Sequence, residues 1–284
     1  MRKISAALFA ATLFVTPAQA VEFLVGVERG DTGQSDYEVG LIKLALEKAG
    51  GGHTMKIADT GDTNQSRMLE MLSTGDADFH VTFSGIDQER FDKLATVPVP
   101  MQRGLLGHRI LIVSEDSKDA VGAVKTMDDL QQISIGSGTG WPDTEILEKA
   151  GFKVESSKYE NLFKMVDGGR IQGYARGVAE PYSEVEARQG EMKNLTIDEH
   201  VMIVYPFDMF LFLNKGDTER YDILLTGLKN AYEDGSFLDY FENHPRIKKV
   251  FEQAKIDDRL RFEIDNPLLP GEIAAIPDQY WHGR

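Results

Sequence analysis

The stretch FLVGVERGDTGQSDYEVGLIKLALEKAGGGHTMKIADTGDTNQSRMLEMLSTGDADFHVTF, residues 23–83, decides the fold class. Phe23 to Val27 is a short apolar run with the length of a buried strand, and a polar, Gly- and Asp-rich loop follows from Glu28 to Asp36. Glu38 to Ala49 then carries Leu41, Leu44, Ala45 and Leu46 at helical rather than alternating spacing, and Gly50-Gly51-Gly52 stops it. Thr54 to Ala58 reads as a second strand. Asn64 to Ser73 reads as a second helix, with Met68, Leu69, Met71 and Leu72 apolar, and Gly75 ends it. Asp78 to Phe83 is a third strand. Strand, helix, strand, helix, strand is the pattern of a doubly wound α/β sheet.

The same alternation returns further along. His108 to Val113 predicts a strand, Asp128 to Leu130 a brief helix, and Ile133 to Ile135 a strand that runs into Gly136-Ser-Gly-Thr-Gly140. Helices follow over Asp143 to Ala150, which Gly151 closes, and over Glu160 to Asp167. Ile171 to Ala175 predicts a strand and Glu180 to Gln189 a helix. Asp208 to Leu213 predicts one more strand, and Glu219 to Glu233 a long helix ending at Gly235. From Phe262 the chain is rich in Pro, Gly and Asn and reads as an extended tail on the surface. The expected fold class is therefore α/β, with two doubly wound lobes. The lobes are read as 21–107 and 108–206, with residues 207–284 returning to complete the first. Two lobes joined by more than one crossing form a hinge with a cleft, and such clefts are preferred ligand sites.

Composition narrows the function. The chain has no Cys, which excludes disulfides, thiolate metal sites and a Cys nucleophile. Its net charge of −15 disfavours nucleic acid and anionic lipid at long range. The six His show no paired metal-ligand spacing, and Asp59, Asp62 and Asn64 lack the pattern of a calcium loop. No metal or other cofactor is expected, and no G-x-S-x-G elbow marks a serine hydrolase. The start of the chain has three parts: Arg2 and Lys3, an uncharged apolar run from Ile4 to Val15, and Ala18-Gln19-Ala20 after Pro17. This predicts a signal peptide over residues 1–20, since the run is short of the ~20 residues that span a bilayer. No Cys follows Ala20, so a lipid anchor is not expected and the product would be a soluble periplasmic protein.

Two local features point to a ligand. Ser137-Gly138-Thr139-Gly140 lies between a strand and a helix, where backbone N–H groups beside a helix N-terminus suit an anion, and no Lys-Ser/Thr closes it as a nucleotide loop. Arg90 carries a planar fork of donors that can meet a carboxylate with two bonds, or can pair with Glu89 or Asp92 in solvent.

These stretches also resemble a known family. Gly75-Asp-Ala-Asp-Phe79 leading to Asp87-Gln-Glu-Arg90, the Ser137-Gly-Thr-Gly140 turn, Asp167-Gly-Gly-Arg-Ile171 and Asn214-Lys-Gly-Asp217 are similar, in order and spacing, to extracellular solute-binding proteins of family 3. These are the amino-acid-type periplasmic receptors with the type II binding-protein fold. The resemblance implies that Arg90 clamps a ligand carboxylate, with Ser84 beside it. It also implies that Glu28, at the end of the first strand, contacts ligand, and that Ser137, Gly138 and Thr139 close from the second lobe. Trp141 would wall the cleft or fill the core. The family holds a ligand ammonium with an aspartate at a position that falls here on Gly177, next to Arg176. Arg176 opposite Arg90 would suit a ligand with two negative ends; tied to Glu180, it would be neutralised instead.

The resemblance implies a receptor rather than an enzyme. It would act as a monomer that captures a small polar, carboxylate-bearing metabolite and delivers it to an ABC permease. One rival is a sensing subunit that presents its closed form to a membrane receptor. The other is a periplasmic dehydratase of the cyclohexadienyl type, for which Glu28, Glu180 and Asp208 are the available carboxylates.

Overall fold

The computed structural model describes residues 20–28 and 35–283, so the expected signal peptide up to residue 19 and most of the loop after the first strand lie outside the described residues. The quoted stretch forms β1 (Glu22–Val27), α1 (Asp36–Ala49), β2 (Thr54–Asp59), α2 (Gln65–Thr74) and β3 (Val81–Gly85). α2 starts where the Asn64 side chain accepts the Arg67 N–H, and it stops at Gly75, whose φ of 82° is left-handed. β3 sits later than the sequence predicts and takes in Ser84 and Gly85. Two short elements escape the periodicity reading: α3 (Gln88–Lys93) and β4 (Ala95–Val97).

The second unit contains β5 (His108–Ser114), α4 (Lys118–Gly122), α5 (Met127–Leu130), β6 (Ser134–Gly138), α6 (Pro142–Lys149), β7 (Lys153–Ser157), α7 (Tyr159–Asp167), β8 (Gly173–Gly177) and α8 (Pro181–Arg188). β9 (Leu195–Ile197) and β10 (Val201–Val204) follow, then β11 (Met209–Leu213), α9 (Thr218–Glu233), α10 (Ser236–Asn243), α11 (Pro245–Gln253), β12 (Leu260–Glu263) and α12 (Gly271–Ala274).

The strands form two sheets. The first has the order β2-β1-β3-β11-β4, with β1 parallel to β2 and β3, and β11 antiparallel to β3 and β4. The second has the order β12-β10-β5-β8-β6-β7, with β9 also on β5. The late strand β11 thus joins the first sheet, while β12, which the sequence reading left in the tail, pairs in parallel with β10 of the second. The tail is anchored rather than merely laid on the surface: Ile273, Ile276 and Trp281 are buried.

α9 lies against α1 with Gly227 at the contact. A Cβ there would stand 1.8 Å from the Ala45 carbonyl oxygen, so the close approach of the two helices requires glycine. The chain passes between the sheets at residues 98–107, at 205–208 and again before β12. The first two crossings run side by side, joined by Met101 N–H to Met209 O, Gly107 N–H to Phe207 O and Tyr205 N–H to Gly107 O.

Candidate functional site

Arg90 is held in place from its own neighbourhood. The Asp87 side chain caps α3 by accepting the Arg90 N–H at 2.7 Å and lies 3.3 Å from its Nε. Nη1 donates to Ser84 Oγ and to Gly85 O, both at 2.7 Å, and Nη2 donates to Gly140 O at 2.9 Å. The side chain is buried, and that burial lowers its pKa against the pull of Asp87 and Asp143. Its partners are therefore not the solvated Glu89 or Asp92. Ser84 is fully buried and orients the guanidinium.

Gly140 is the point where groups attached to the two sheets meet. Its carbonyl accepts from Arg90 and, at 3.1 Å, from Ser66 Oγ of α2. Its φ of 79° is left-handed, and a Cβ there would lie 2.5 Å from Ser66 Oγ, so only glycine fits. Around it the turn is internally bonded. Thr139 N–H donates to Ser157 O, Trp141 N–H to Gly138 O, and Thr144 Oγ1 to both Ser137 Oγ and Gly138 O. These N–H groups of Thr139 and Trp141 are committed to the protein, so the turn is a structural clasp as much as an anion cradle. A cavity of about 490 Å³ opens beside this contact, lined by Ser66, Arg90, Gly140, Trp141, Glu145 and Leu268 among others.

Trp141 faces both ways. It borders that cavity, and it also stacks on Tyr174 with ring centroids 6.4 Å apart. Gly138 makes room for it, since a Cβ at 138 would lie 2.3 Å from the indole.

Arg176, next to last in β8, does not present its charge to the cleft. Its Nε donates to Glu184 at 2.9 Å, and Nη2 donates to Glu180 at 2.8 Å and Glu184 at 2.6 Å. The rings of Trp141, Tyr174 and Tyr159 surround the guanidinium at 5.0–5.4 Å. Burial works against its charge, but Glu180 and Glu184 outweigh burial and raise its pKa. The expected pincer of Arg90 and Arg176 on a doubly negative ligand is therefore corrected: Arg176 is tied to Glu180, as the alternative held, and to Glu184 as well.

A second arginine, which the sequence reading missed, completes this cluster. Arg109 in β5 lies in register with Gly177. It donates to Tyr205 Oη at 3.0 Å, to Asp143 at close range and to Glu180 at 3.5 Å. Tyr205 Oη also donates to Asp143, and Tyr159 Oη to Glu184 at 2.8 Å. Burial opposes the charge of Arg109 too, and Asp143, Tyr205 and Glu180 outweigh it. Burial raises the pKa of Glu180, against the two arginines. The signal was present in the sequence: a lone arginine in the apolar run His108-Arg-Ile-Leu-Ile-Val113 must find a carboxylate when buried.

Glu180 also answers the departure at position 177. Its Oε2 accepts the Gly177 N–H at 2.6 Å and lies 3.0 Å from where a Cβ on Gly177 would be. A carboxylate thus stands beside the strand position where the resemblance expects an aspartate, delivered from the start of α8. Glu28 closes β1 and is exposed, next to residues outside the described set. Asp208 lies in the second crossing, fully buried. Among the described residues, no group of three or more His, Cys, Asp or Glu is arranged to hold a metal ion, and no helix is long and apolar enough to cross a membrane.

No protein-family model and no curated protein matches the chain. Solved structures do. An ancestral arginine-binding protein bound to arginine is 16% identical, over 78% of this chain and 96% of that one, with a TM-score of 0.58. A histidine kinase sensor domain with similarity to periplasmic binding proteins is 14% identical, over 77% and 93%, at 0.58. An ancestral amino acid-binding protein, a precursor of cyclohexadienyl dehydratase, is 16% identical, over 78% and 94%, at 0.54. The chain has the type II periplasmic binding protein fold. In that fold two α/β lobes flank a cleft, and the bonds of Ser66 and Arg90, both beside the first sheet, to Gly140 O beside the second bridge this one.

Proposed function

We propose that this protein is an exported solute receptor that captures a small carboxylate-bearing metabolite between its lobes. The first lobe would hold the residues up to 107 and the return from 207. The second would hold residues 108–206 together with β12. The observation that carries the reading is the Arg90 bond to Gly140 O, a buried cation of one lobe engaging a backbone carbonyl of the other. A ligand carboxylate is a stronger acceptor than that carbonyl for Nη2, because it meets the guanidinium charge with a charge of its own. Entry of the ligand would move Gly140 off Nη2, and closure would then be driven by contacts that exist only with ligand bound.

The charge of the second lobe bears on the rest of the ligand. Asp143, Glu180 and Glu184 face Arg109 and Arg176 there, which leaves no spare positive charge for a second anionic end. A single carboxylate with a polar or cationic remainder fits better than a diacid. Amino acids are ligands of structures with this fold, which supports the same choice. Delivery to an ABC permease follows from the family resemblance. A sensing role is the second reading, favoured by the likeness to a kinase sensor domain.

A thermal-shift screen with amino acids, monocarboxylates, dicarboxylates and sulfonates tests this, since a ligand of the native state raises the melting temperature. A monocarboxylate or amino acid is expected to stabilise most, and Arg90→Ala to weaken its binding about 10- to 100-fold, the worth of a charge-assisted bond. Full affinity in Arg90→Ala would end the clamp assignment. Turnover of a prephenate-like acid would favour the enzyme instead.

A further inference from the structure

The two crossings between the sheets are joined by backbone bonds at both ends, but in between the first crossing leaves the second. At Arg103 and Gly104 the backbone takes two successive left-handed residues, φ 54° and 88°, and turns away. Elsewhere the crossings are pressed together: a Cβ on Gly107 would lie 2.0 Å from Tyr205 O. The gap is bridged by one side chain. The Asp208 carboxylate, from the second crossing, accepts the Gln102 N–H at 3.1 Å and, through its other oxygen, the Gly104 N–H, both from the first crossing. It also accepts the Met209 N–H at 2.6 Å.

The surroundings fix this carboxylate further. Gln102 Nε2 donates to Glu38 of α1 at 2.9 Å, and Glu38 is paired with Arg246 of α11. Tyr37 Oη donates to Met101 O at 2.7 Å. Trp281 of the tail packs on Gly104, 2.9 Å from where its Cβ would be. Gly104, the second residue of the left-handed pair, is the point of the crossing best able to absorb a change of φ and ψ, because glycine has no steric penalty there. Asp208 holds the N–H of Gly104 in this pair and that of Gln102 just before it.

We propose that Asp208 is the pin of the interlobe hinge, tying the turn at residues 102–104 to the second crossing so that the two sheets pivot about this carboxylate. This rests on the reading that the lobes open and close; the test separates the two. The chain lacks Cys, so Glu70→Cys on α2 and Glu145→Cys on α6, both exposed and on opposite sides of the cavity, take spin labels at those sites alone. Distances are measured without ligand by pulsed electron resonance, in this background and with Asp208→Asn added.

The pinned chain is expected to give one narrow distance peak, and Asp208→Asn a broader distribution reaching longer values. Amide exchange over residues 102–104 should rise at least about tenfold in the variant, the effect of losing a bond of roughly 1.5 kcal/mol. An unchanged distribution together with unchanged exchange overturns the pin. If Asp208→Asn does not fold, the unsubstituted protein decides: exchange at Gln102 and Gly104 as slow as that of core strands supports the pin, and exchange as fast as at the exposed Gly61 turn refutes it. Failure of every solute to narrow the distance peak would count against the receptor reading and leave the hinge result standing.

Discussion

Arg176→Ala separates two roles that the sequence leaves open for this residue, ligand group and internal tie. In the structure its guanidinium holds Glu184 through Nε and Nη2 and Glu180 through Nη2. Arg176 and Glu184 expose only 7% and 6% of their side chains, and Glu180 exposes 11%. Removing the arginine takes from Glu180 and Glu184 the guanidinium to which both are bonded. Breaking a buried pair from one side costs ~3–5 kcal/mol, because the stranded charge stays out of water. At ~2–4 °C per kcal/mol for a chain of this size, the melting temperature should fall by roughly 6–20 °C at pH 8. The loss should shrink toward pH 5, where a stranded carboxylate takes up a proton. Adding Glu184→Gln to Arg176→Met should recover part of it, since the surplus charge goes with the partner. The assay is thermal unfolding by circular dichroism at both pH values. An Arg176→Ala protein that melts within about 1 °C of the parent at pH 8, yet loses ligand affinity, would refute the tie and restore Arg176 to the cleft.

Two further outcomes follow from packing and from titration. Gly227→Ala should destabilise by ~1–3 kcal/mol through overpacking against the Ala45 carbonyl. Gly190→Ala, where a Cβ meets nothing within 4 Å, should leave the melting temperature almost unchanged. Burial pushes the Asp208 carboxyl up to about 7 from 3.8, against its three backbone N–H bonds and with Glu38 adding to the rise. Below pH 3.8 its contribution to stability is fully present, and it is lost as pH rises through about 7, because the native state binds the extra proton over that window. The gap corresponds to about 4 kcal/mol at 1.36 kcal/mol per pH unit. Asp208→Asn should therefore flatten the fall in melting temperature between pH 5 and 8, and an identical slope in both proteins would contradict it.

The α/β alternation was legible because its strands are apolar runs and its helices end on glycine. The elements that were not legible lack that signal for identifiable reasons. β7, Lys153-Val-Glu-Ser-Ser157, is a polar edge strand paired on one side only, so its residues have no buried face to announce. β4 and β9 are three residues long, and α3 is less than two turns, too short for periodicity to show. β12 reads as tail because its partner β10 is known only from the tertiary pairing. At the candidate site, Arg90 stands out in the sequence only through the ordered motifs around it. Arg109 was readable only as a charge in an apolar strand, and its partner Asp143 is 34 residues away.

The structure makes Arg90 and Arg176 unequal, and the difference lies in what each would have to give up to meet a ligand. Arg176 would have to release two carboxylates, Glu184 buried and Glu180 nearly so, each bonded to at least one further group, so any anion offered to it competes with an intact ion-pair network. Arg90 would have to release only the Gly140 carbonyl, a neutral acceptor, while Ser84, Gly85 and Asp87 keep its plane fixed. On the proposed reading, the smaller loss would make Arg90 the clamp. On that reading the left-handed Gly140, pressed on Ser66, would supply without ligand the oxygen that completes Nη2 of Arg90, so that this buried donor keeps an acceptor.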